Sequence, residues 1–471
     1  MKILVLNPPF VNNFCRSARW AARSRGRVQR HPDWLLIACA VLEQAGHSVR
    51  FIDGAALNLK REDIEKQVLS FMPQMAVLHT TTPTINNDIL YAKLIKQITG
   101  CTTVLVGAHV TAEVRDTFNI AAGAVDVVAR GEYDYALRDL SNGVSIKQIL
   151  GISYFKDGFV INNPERGLID VNELPYPAWH LVRPEWYYDG GKRFPFLTLI
   201  SGRGCFGACT FCRDTPLLYK RELRLRNVKL VADEIEYDYK LFPYIKEIMF
   251  ETDTFTASAQ YVTAFCEEVL KRGLKFCWSC NTRVDIDLSV LPLMKRAGCR
   301  MLMTGFEFGT QRALDAVHKG ITLEQSVNFA RAANKLGFVI HGCFMLGAPG
   351  ETRESCQETI DFAKSLPLDT VQISGICAYP GTDIYNWAKK NGYLVPKSWD
   401  GWVAENYEQA TILSYSNLTK EDIDKYINKG LREFYLRPSQ IFRILSRSGW
   451  NDLRRLYIGL KGFLSSCFKS Q

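Results

Sequence analysis

The sequence predicts an α/β protein made of two strand–helix series and a mainly helical end. At 471 residues and 53.5 kDa the chain is too long for one ordinary core, so two or three domains are expected. Hydrophobic residues make up 47% and charged residues 23%, as in globular proteins. No apolar run has the length of a membrane-spanning helix. The predicted architecture is a doubly wound N-terminal sheet, a partial (β/α)6 barrel of the TIM type and a helical C-terminal region.

The first part of the chain alternates predicted strands and helices like a doubly wound parallel sheet. Its predicted strands are KILVLNP, SVRFIDGA, MAVLHTTT, TTVLVGAH and VDVVARG. Each strand runs into a loop that carries Asn, Pro, Gly, Thr or His, and ligands of such sheets bind at those carboxyl ends. No GxGxxG follows the first strand, so a dinucleotide is not favoured.

The second series begins at FPFLTLISGRG, after a stretch rich in Gly, Pro and aromatic residues. Its six predicted strands lie at 196–201, 246–251, 275–280, 300–306, 338–345 and 371–377. In a parallel barrel, the working site lies at the carboxyl ends of the strands. The predicted domains are 1–145 for the front domain, 146–194 for a linker, 195–390 for the barrel and 391–471 for the helical C-terminal region.

The net charge of +9 is concentrated in two segments. Residues 16–30 contain six arginines and no acid, and residues 431–471 contain eight Lys or Arg against two acids. The remaining chain is slightly acidic, so the pattern predicts two local anion-facing surfaces and no nucleic-acid partner. In the first segment, Arg19 and Arg23 are candidate ligands of an anionic substrate group. A solvated or self-paired basic loop is the alternative.

The second basic segment predicts an amphipathic helix at the end of the chain. Its apolar face consists of Leu453, Leu456, Tyr457, Leu460, Phe463 and Leu464. Such a helix lies on an anionic membrane or packs against its own barrel, and the sequence leaves both open. The opening MKILVLNPPF has too short an apolar run for a signal peptide. The predicted location is the cytoplasm, with peripheral membrane contact if the tail binds lipid.

Three cysteines stand close together in GCFGACTFC, directly after the first predicted barrel strand. Thiolates are soft ligands that select zinc or iron–sulfur clusters. A structural zinc site needs a fourth ligand, and neither a second CxxC nor a His pair lies nearby in the sequence. Cys205, Cys209 and Cys212 on a four-iron cluster would leave one iron free to bind another molecule. The spacing alone leaves both metals open, with zinc as the weaker alternative.

The spacing CxxxCxxC, with Phe211 before its last cysteine, resembles the signature of the radical S-adenosylmethionine enzymes. Later segments resemble the strand motifs of that family in order: MFETDTFT, WSCNTRVD, GFEFGTQRALDAVHKG, FMLGAPGET and AYPGTDIY. The resemblance covers about residues 195–390. It implies a catalytic [4Fe–4S] cluster on Cys205, Cys209 and Cys212, with S-adenosylmethionine on the open iron. It also implies an external electron donor such as flavodoxin or ferredoxin.

The same resemblance assigns contacts to S-adenosylmethionine by motif position. The implied residues are Glu251, Thr252, Asp253, Glu307, Phe211 and Tyr379. The first three would lie near the methionyl end and the fourth near the ribose, while backbone around the last two would flank the adenine. The alternative is that Glu251 and Glu307 are strand-end carboxylates paired with Arg283 or Arg300.

The front domain resembles the cobalamin-binding domain of the cobalamin-dependent branch of this family. VLVGAHVTAE resembles the Gly-Gly-Pro-His stretch of that branch, with Ala108 in place of proline, and ARGEYDYAL and ELPYPAW resemble its next two segments. The implied cobalamin contacts are Thr80, Thr81, Gly107, Ala108, His109, Gly131 and Glu132. For the threonines, helix capping is the alternative. DxHxxG, which supplies a lower axial histidine in other cobalamin proteins, is absent, so the lower ligand is unassigned.

The resemblance implies a cobalamin-dependent radical S-adenosylmethionine enzyme that methylates an unactivated carbon. In that family, a 5′-deoxyadenosyl radical removes hydrogen from the substrate carbon, which then takes methyl from methylcobalamin. One alternative keeps the cofactors without methyl transfer, as in a radical cyclase or rearrangement enzyme of the tetrapyrrole or hopanoid type. Another is a non-catalytic iron–sulfur electron carrier or sensor, which does not account for the series of barrel motifs. The predicted substrate is a small molecule or lipid, and no motif specifies it.

Overall fold

The computed structural model describes residues 1–447 of the chain. Two αβ series are followed by a helical end, which confirms the fold class predicted from the sequence. The amphipathic helix predicted over residues 453–464 lies outside the described residues. Within them, no helix is both long and apolar enough to cross a membrane.

The front domain is built on a seven-stranded sheet with hydrophobic cores on its two faces. Its strands are β1 (Lys2–Asn7), β2 (Ser48–Asp53), β3 (Met75–His79), β4 (Thr102–Val106), β5 (Val127–Ala129), β6 (Ile152–Lys156) and β7 (Phe159–Asn162). Its helices are α1 (Asp33–Gln44), α2 (Arg61–Phe71), α3 (Ile85–Thr99), α4 (Ala108–Ala112), α5 (Val114–Ala121) and α6 (Asp134–Ser141).

The strand order in this sheet is β2-β1-β3-β4-β5-β6-β7, and the first five strands pair in parallel. The direction of winding reverses at β1, where a ligand crevice is expected. Residues 3–7 of β1 are buried, as is typical of a central parallel strand. The hairpin β6–β7 adds two antiparallel strands from the segment predicted as linker, so the sheet extends beyond residue 145.

The second domain is a partial parallel barrel. Its strands are β8 (Phe196–Leu199), β9 (Gly202–Arg203), β10 (Arg224–Leu225), β11 (Glu247–Phe250), β12 (Trp278–Thr282), β13 (Cys299–Glu307), β14 (Val339–Leu346) and β15 (Thr370–Gly375). Its helices are α7 (Asp214–Tyr219), α8 (Val228–Leu241), α9 (Ala259–Lys271), α10 (Leu291–Arg296), α11 (Gln311–Ala316), α12 (Leu323–Lys335), α13 (Arg353–Ser365) and α14 (Asp383–Asn391).

Six of these strands form one parallel sheet in the order β15-β14-β13-β12-β11-β8, while β9 and β10 form a separate antiparallel pair. The sheet is open between β8 and β15, so the barrel is incomplete, as predicted. An aromatic cluster holds α9 against the sheet, with Phe265 packed edge-on against both Phe250 and Trp278. Each such pair contributes about 0.5–1.5 kcal/mol beyond its buried area.

The C-terminal region packs on both domains. A short 3-10 turn at Trp399–Trp402 lies against the turn at Thr82–Thr84 of the front domain. Helix α15 (Lys420–Tyr435) packs on α13 and β15 of the barrel, and α16 (Pro438–Arg447) follows it. The N-terminus of α15 is fixed by Thr419, whose side-chain oxygen accepts from the Asp422 N–H in a capping box.

Candidate active site at the domain junction

The cysteine loop lies at the carboxyl end of β8 and is shaped by its backbone. Gly204 has φ +90°, and a Cβ there would lie 1.9 Å from the Glu222 carbonyl oxygen, so only glycine fits. The Thr210 N–H donates to the Val317 carbonyl at 3.0 Å, and the Thr210 carbonyl accepts from the Ile384 N–H at 3.1 Å. The loop is therefore anchored to the segments that follow α11 and open α14.

The thiols of Cys205 and Cys209 flank Gly207. A Cβ at Gly207 would lie 3.4 Å and 3.7 Å from the two sulfurs, so the glycine keeps the space between them open. Cys209 is buried, and Cys205 and Cys212 are half-buried. Across residues 1–447, no three His, Cys, Asp or Glu side chains are arranged to hold a single metal ion. Thiolates are soft ligands, so the thiols of this loop fit an iron–sulfur cluster by their chemistry.

A fixed cation lies beside these thiols. The Nη1 atom of Arg283 is 3.3 Å from the same Cβ position at Gly207. Arg283 is held by a bidentate pair with Asp285, at 2.7 Å and 2.8 Å, and donates to the Lys319 carbonyl at 3.0 Å. Its guanidinium carbon lies 5.6 Å from the centroid of the Phe206 ring. A positive charge is therefore fixed next to two of the three thiols.

The segment after β11 touches the cysteine loop directly. One carboxylate oxygen of Asp253 accepts from the Gly204 N–H at 3.0 Å. The Thr254 hydroxyl lies 3.4 Å from the sulfur of Cys205. Thr252, which directly precedes Asp253, is buried. The residues predicted to bind the methionyl end of S-adenosylmethionine therefore lie next to the predicted cluster ligands.

Both carboxylates of this segment are ion-paired with the arginine-rich loop. Glu251 pairs with Arg30 at 2.7 Å, and Asp253 pairs with Arg19 at 3.2 Å. Arg30 also pairs with Asp189 at 3.2 Å. Burial raises the pKa of Asp253, and the nearby Arg19 works against that rise. An ammonium group bound here would have to share these carboxylates with the two arginines.

Glu307 lies at the end of β13 in a conformation that is rare for residues other than glycine. Its φ is +68°, and its carboxylate is buried and pairs with Lys319 at 2.6 Å. Ion pairing, the alternative function predicted for Glu251 and Glu307, is therefore present at both. The cations differ from the predicted ones, because Arg283 and Arg300 pair with other carboxylates.

Phe211 belongs to the cysteine loop, and Tyr379 contacts Arg213 just after it. Phe211 is half-buried and packs on the hydrophobic core, and Tyr379 is fully buried. The guanidinium carbon of Arg213 lies 5.2 Å from the centroid of the Tyr379 ring, and Arg213 pairs with Asp214 at 2.6 Å. Both aromatic residues are thus placed at the loop, as their predicted role requires.

The carboxyl ends of β3 and β4 approach each other closely in the front domain. The Thr80 hydroxyl donates to the Val106 carbonyl at 2.8 Å, and the Thr81 and Thr84 hydroxyls lie 2.7 Å apart. Gly107 has φ +123°, and a Cβ there would lie 2.7 Å from the Thr80 carbonyl oxygen. Helix α3 begins without a side-chain cap, so the capping alternative for Thr80 and Thr81 is not realised.

His109 is buried at the same edge with one ring nitrogen unsatisfied. Its Nδ1 lies 3.2 Å from the Thr82 hydroxyl, while Nε2 has no hydrogen-bond partner among the described residues. Its ring lies 4.9 Å from that of Trp399, and Ala108 beside it opens α4. Burial lowers the pKa of His109 to about 3, so the imidazole is neutral. A buried ring nitrogen without a hydrogen-bond partner among the described residues, next to Gly107, is consistent with a ligand bound at this edge of the sheet.

Glu132 joins the front domain to the barrel. It pairs with Arg203 at 2.9 Å and with Arg224 at 2.9 Å, and Asp134 pairs with Arg203 at 2.9 Å. Gly131 before it has φ +64°. The side chain predicted to contact cobalamin is thus occupied by a buried interdomain ion-pair network, and its role toward cobalamin stays a prediction.

The arginine-rich loop 16–30 crosses the junction of the domains. Arg23 donates to the Asn12 carbonyl at 2.9 Å and to the Asn406 carbonyl at 3.3 Å, and its guanidinium carbon lies 5.4 Å from the centroid of the Tyr407 ring. With Arg19 on Asp253, both candidate substrate ligands have partners within the protein. The self-paired alternative describes their geometry, and their role toward a substrate anion stays a prediction.

Several residues of this site were missed by sequence reasoning. Arg30 pairs with Glu251, 221 residues further along the chain, and Arg203 pairs with Glu132, 71 residues before it. Lys319 follows the helix after the Glu307 strand, and Trp399 reaches the front domain from the C-terminal region. No local pattern marks such partners, and only the fold brings them together. The run of arginines was the one available signal for Arg30.

Two protein-family models match the chain. The model for the B12 binding domain matches residues 25–141, and the model for the radical SAM superfamily matches residues 199–363. The first covers strands β2 to β5 of the front sheet and includes Gly107 and His109. The second begins at the last residue of β8 and includes the cysteine loop.

Similar proteins span almost the whole chain. An uncharacterized methyltransferase of Pyrococcus horikoshii is 32% identical over 470 residues, which is 98% of each chain. The anaerobic magnesium-protoporphyrin IX monomethyl ester cyclase of Rubrivivax gelatinosus is 27% identical over 75% of this chain and 65% of that protein. The structure of the radical S-adenosylmethionine methyltransferase TsrM from Kitasatospora setae, with cobalamin and a [4Fe–4S] cluster bound, has the same fold. It aligns with a TM-score of 0.72 at 14% identity, over 99% of each chain.

An open cysteine loop on a partial barrel, facing the edge of a B12-binding sheet, defines a class of radical enzymes. The chain belongs to the cobalamin-dependent branch of the radical S-adenosylmethionine superfamily. Its cofactors are a [4Fe–4S] cluster, S-adenosylmethionine and cobalamin. The resemblance seen in the sequence motifs is thereby confirmed. The non-catalytic electron carrier has no support among these relatives.

Proposed function

We propose that the protein methylates an unactivated carbon of a small-molecule or lipid substrate held between its two domains. The observation that supports this most is the placement of the two predicted cofactor sites at one junction. Helix α4, which begins at Ala108, contacts α7, which begins two residues after Cys212. Burial is the main cause of the lowered pKa of His109, and the nearby charge of Arg213 lowers it further. A methyl donor on one side and a radical generator on the other would meet the same substrate.

The chain would divide its work among the residues described above. Cys205, Cys209 and Cys212 would hold the cluster, which with S-adenosylmethionine supplies the radical chemistry, while cobalamin supplies methyl transfer. Glu251 and Asp253 would orient the methionyl ammonium, with Arg30 and Arg19 limiting the net charge there. Fixing these groups in advance avoids the cost of reorganising them during the reaction.

The remaining predicted residues would shape the two cofactor sites. Glu307, fixed by Lys319 in a left-handed conformation, would accept hydrogen bonds from the ribose, and Phe211 and Tyr379 would flank the adenine. Thr80, Thr81, Gly107, Ala108 and His109 would line the cobalamin edge, with Gly131 and Glu132 at its far side. The proposed domains are the front domain through the hairpin β6–β7, the barrel to residue 390 and the C-terminal region after it.

The named relatives favour two reactions. The Pyrococcus horikoshii protein is named a methyltransferase, and it is similar over nearly the full length. The Rubrivivax gelatinosus cyclase is less similar and makes a ring without being named a methyltransferase. Cyclisation with the same cofactors is therefore the second candidate. Methylation is preferred because identity to the methyltransferase is higher and more complete.

One experiment separates the two candidates. The protein is reconstituted anaerobically with iron, sulfide and cobalamin, reduced, and incubated with a cell extract and S-adenosylmethionine carrying a labelled methyl group. The expected result is 5′-deoxyadenosine together with label in a new product, both detected by mass spectrometry. Production of 5′-deoxyadenosine without labelled product would exclude methylation and favour the cyclase. Absence of 5′-deoxyadenosine from a cluster-loaded protein would contradict both.

An external one-electron donor such as flavodoxin or ferredoxin is part of this proposal. Phe206 in the cysteine loop is 54% exposed, so the loop is open to a docking protein. Exposed aromatic rings are common at protein–protein contacts. The membrane contact predicted for the tail concerns residues outside the described range.

Replacing Gly107 with alanine is expected to impair cobalamin binding. The new Cβ would lie 2.7 Å from the Thr80 carbonyl oxygen, so the ends of β3 and β4 would have to move apart. The cobalamin retained after gel filtration, read from its visible absorbance, should fall about tenfold or more, since a 1.4 kcal/mol loss gives that factor.

Gly100 provides the matched control for this substitution. It also has positive φ, at +67°, but a Cβ there would have nothing within 4 Å. Gly100→Ala carries the smaller strain of a left-handed alanine without a steric clash, and it should retain cobalamin like the unsubstituted protein. Equal retention by both variants would place the cobalamin site away from the edge at Gly107.

A further inference from the structure

Helix α16 is oriented with its polar side toward the protein and its apolar side toward solvent. Ile441, Phe442 and Leu445 are 45%, 73% and 58% exposed, and at 100° per residue they share one face of the helix. Leu436, just before the helix, is 54% exposed. A surface helix of a globular protein normally shows the opposite orientation.

The opposite face of α16 is fixed to the barrel by polar contacts. Gln440 is buried and donates to the Asp369 carbonyl at 2.7 Å. Arg443 donates to the Asp369 carboxylate at 2.9 Å and to the Pro367 carbonyl at 2.7 Å. Asp369 in turn accepts from the Ile340 N–H of β14 at 2.8 Å. Because these contacts set the rotation of the helix, its apolar face cannot turn inward without breaking them.

The sequence around and after this face is strongly basic. Residues 437–471 contain seven Lys or Arg and one acid. Residues 448–471, which follow directly, contain four of these cations together with further apolar residues. Folding this segment back onto α16 would cover the apolar face, but it would gather the positive charges in one small region. An anionic surface would satisfy both the apolar and the basic character.

We infer that the exposed face of α16, with Leu436, inserts into the interface of an anionic lipid bilayer. Asp369 precedes β15 and bonds to the start of β14, so α16 lies at the amino ends of the barrel strands. The cysteine loop lies at their carboxyl ends. A protein bound to lipid through α16 would keep the cysteine loop turned toward solvent. The inference rests on the exposed face of α16 and on the basic sequence of residues 437–471, and it does not depend on the reaction proposed above.

Vesicle flotation of the full-length protein tests this inference. Wild-type protein should float with vesicles of phosphatidylglycerol mixed with phosphatidylcholine, and remain at the bottom with phosphatidylcholine alone. The triple variant Ile441→Ser/Phe442→Ser/Leu445→Ser should bind the anionic vesicles about a hundredfold more weakly, because three apolar side chains no longer leave water. Phe159→Ser is the control, since Phe159 is 71% exposed on β7 of the front domain.

Several other outcomes would overturn the inference. Failure of wild-type protein to float, or equal flotation by the triple variant, would exclude α16 as a lipid contact. Loss of flotation by Phe159→Ser as well would show a nonspecific effect. If residues 448–471 or a second copy cover the face in solution, the triple variant should lower the melting temperature or change the elution volume. Unchanged melting temperature and elution volume are expected for a face that is free in water.

Discussion

Cys209→Ser is expected to abolish production of 5′-deoxyadenosine from S-adenosylmethionine. A hydroxyl at this position is a harder and weaker ligand than a thiolate, so the proposed cluster would lose one of its three protein ligands. Cys209 is the buried member of the three, and its sulfur lies with that of Cys205 around the open space at Gly207. Activity should fall to the uncatalysed background, a loss on the order of 10⁶-fold or more.

The measurement pairs product analysis with a direct assay of the cluster. Iron and sulfide content, with visible absorbance and electron paramagnetic resonance of the reduced protein, should fall in the same variant. Cys277→Ser is the control. Cys277 is half-buried, as Cys205 and Cys212 are, but it lies before β12 and beside Glu247. A Cys209→Ser protein that kept its iron and its activity would contradict the assignment of the cluster loop.

The fold and the family could be predicted because both depend on local patterns. Alternating apolar strands and helices determined the two series, and the six barrel strands lie within a few residues of their predicted bounds. The cysteine spacing and the order of the later motifs specified the family, which the similar proteins confirm. These signals are contained in short stretches and need no knowledge of long-range contacts.

The partners of the site residues could not be predicted for the opposite reason. Glu251 and Glu307 were expected to pair, if at all, with Arg283 or Arg300, yet Arg30 and Lys319 are their partners. Any of the many Lys and Arg residues in this chain could pair with a given carboxylate, and only the packing of the two domains determines which one does. The hairpin β6–β7 lies in the segment predicted as linker from its Gly, Pro and aromatic residues, and its outer strand is largely exposed.

The two ends of the barrel have different environments in this fold. At the carboxyl ends of the strands, the arginine-rich loop, the cysteine loop and the cobalamin edge meet in a network of paired charges. At the amino ends, α16 presents an unpaired apolar face. A lipid-bound protein would therefore leave its reaction centre accessible to a soluble electron donor. This arrangement is compatible with a lipid substrate only if that substrate leaves the bilayer to reach the junction.

Arg203→Met is expected to lower the free energy of unfolding by about 3–5 kcal/mol at neutral pH, the usual cost of stranding buried charges. Arg203 is buried and holds the carboxylates of Glu132 and Asp134, each at 2.9 Å. Methionine fills a similar volume but removes the ion pair of Asp134 and leaves Glu132 with Arg224 alone, at 2.9 Å. The midpoint of urea unfolding, followed by circular dichroism, should fall accordingly.

The pH dependence of this loss follows from the carboxylates. Burial opposes ionisation of Glu132, but Arg203 and Arg224 hold its pKa below the usual value. The stability that this pairing contributes is present above the ordinary glutamate pKa and is lost as pH falls through the lowered one. In Arg203→Met, Glu132 loses one of the two arginines that lower its pKa and takes up a proton at higher pH, so the difference from wild type should shrink on acidification. The triple variant Arg203→Met/Glu132→Gln/Asp134→Asn should recover part of the loss, because neither buried carboxylate remains, while Arg224 loses its ion pair with Glu132. A single variant as stable as wild type at neutral pH would show that this network does not hold the two domains together.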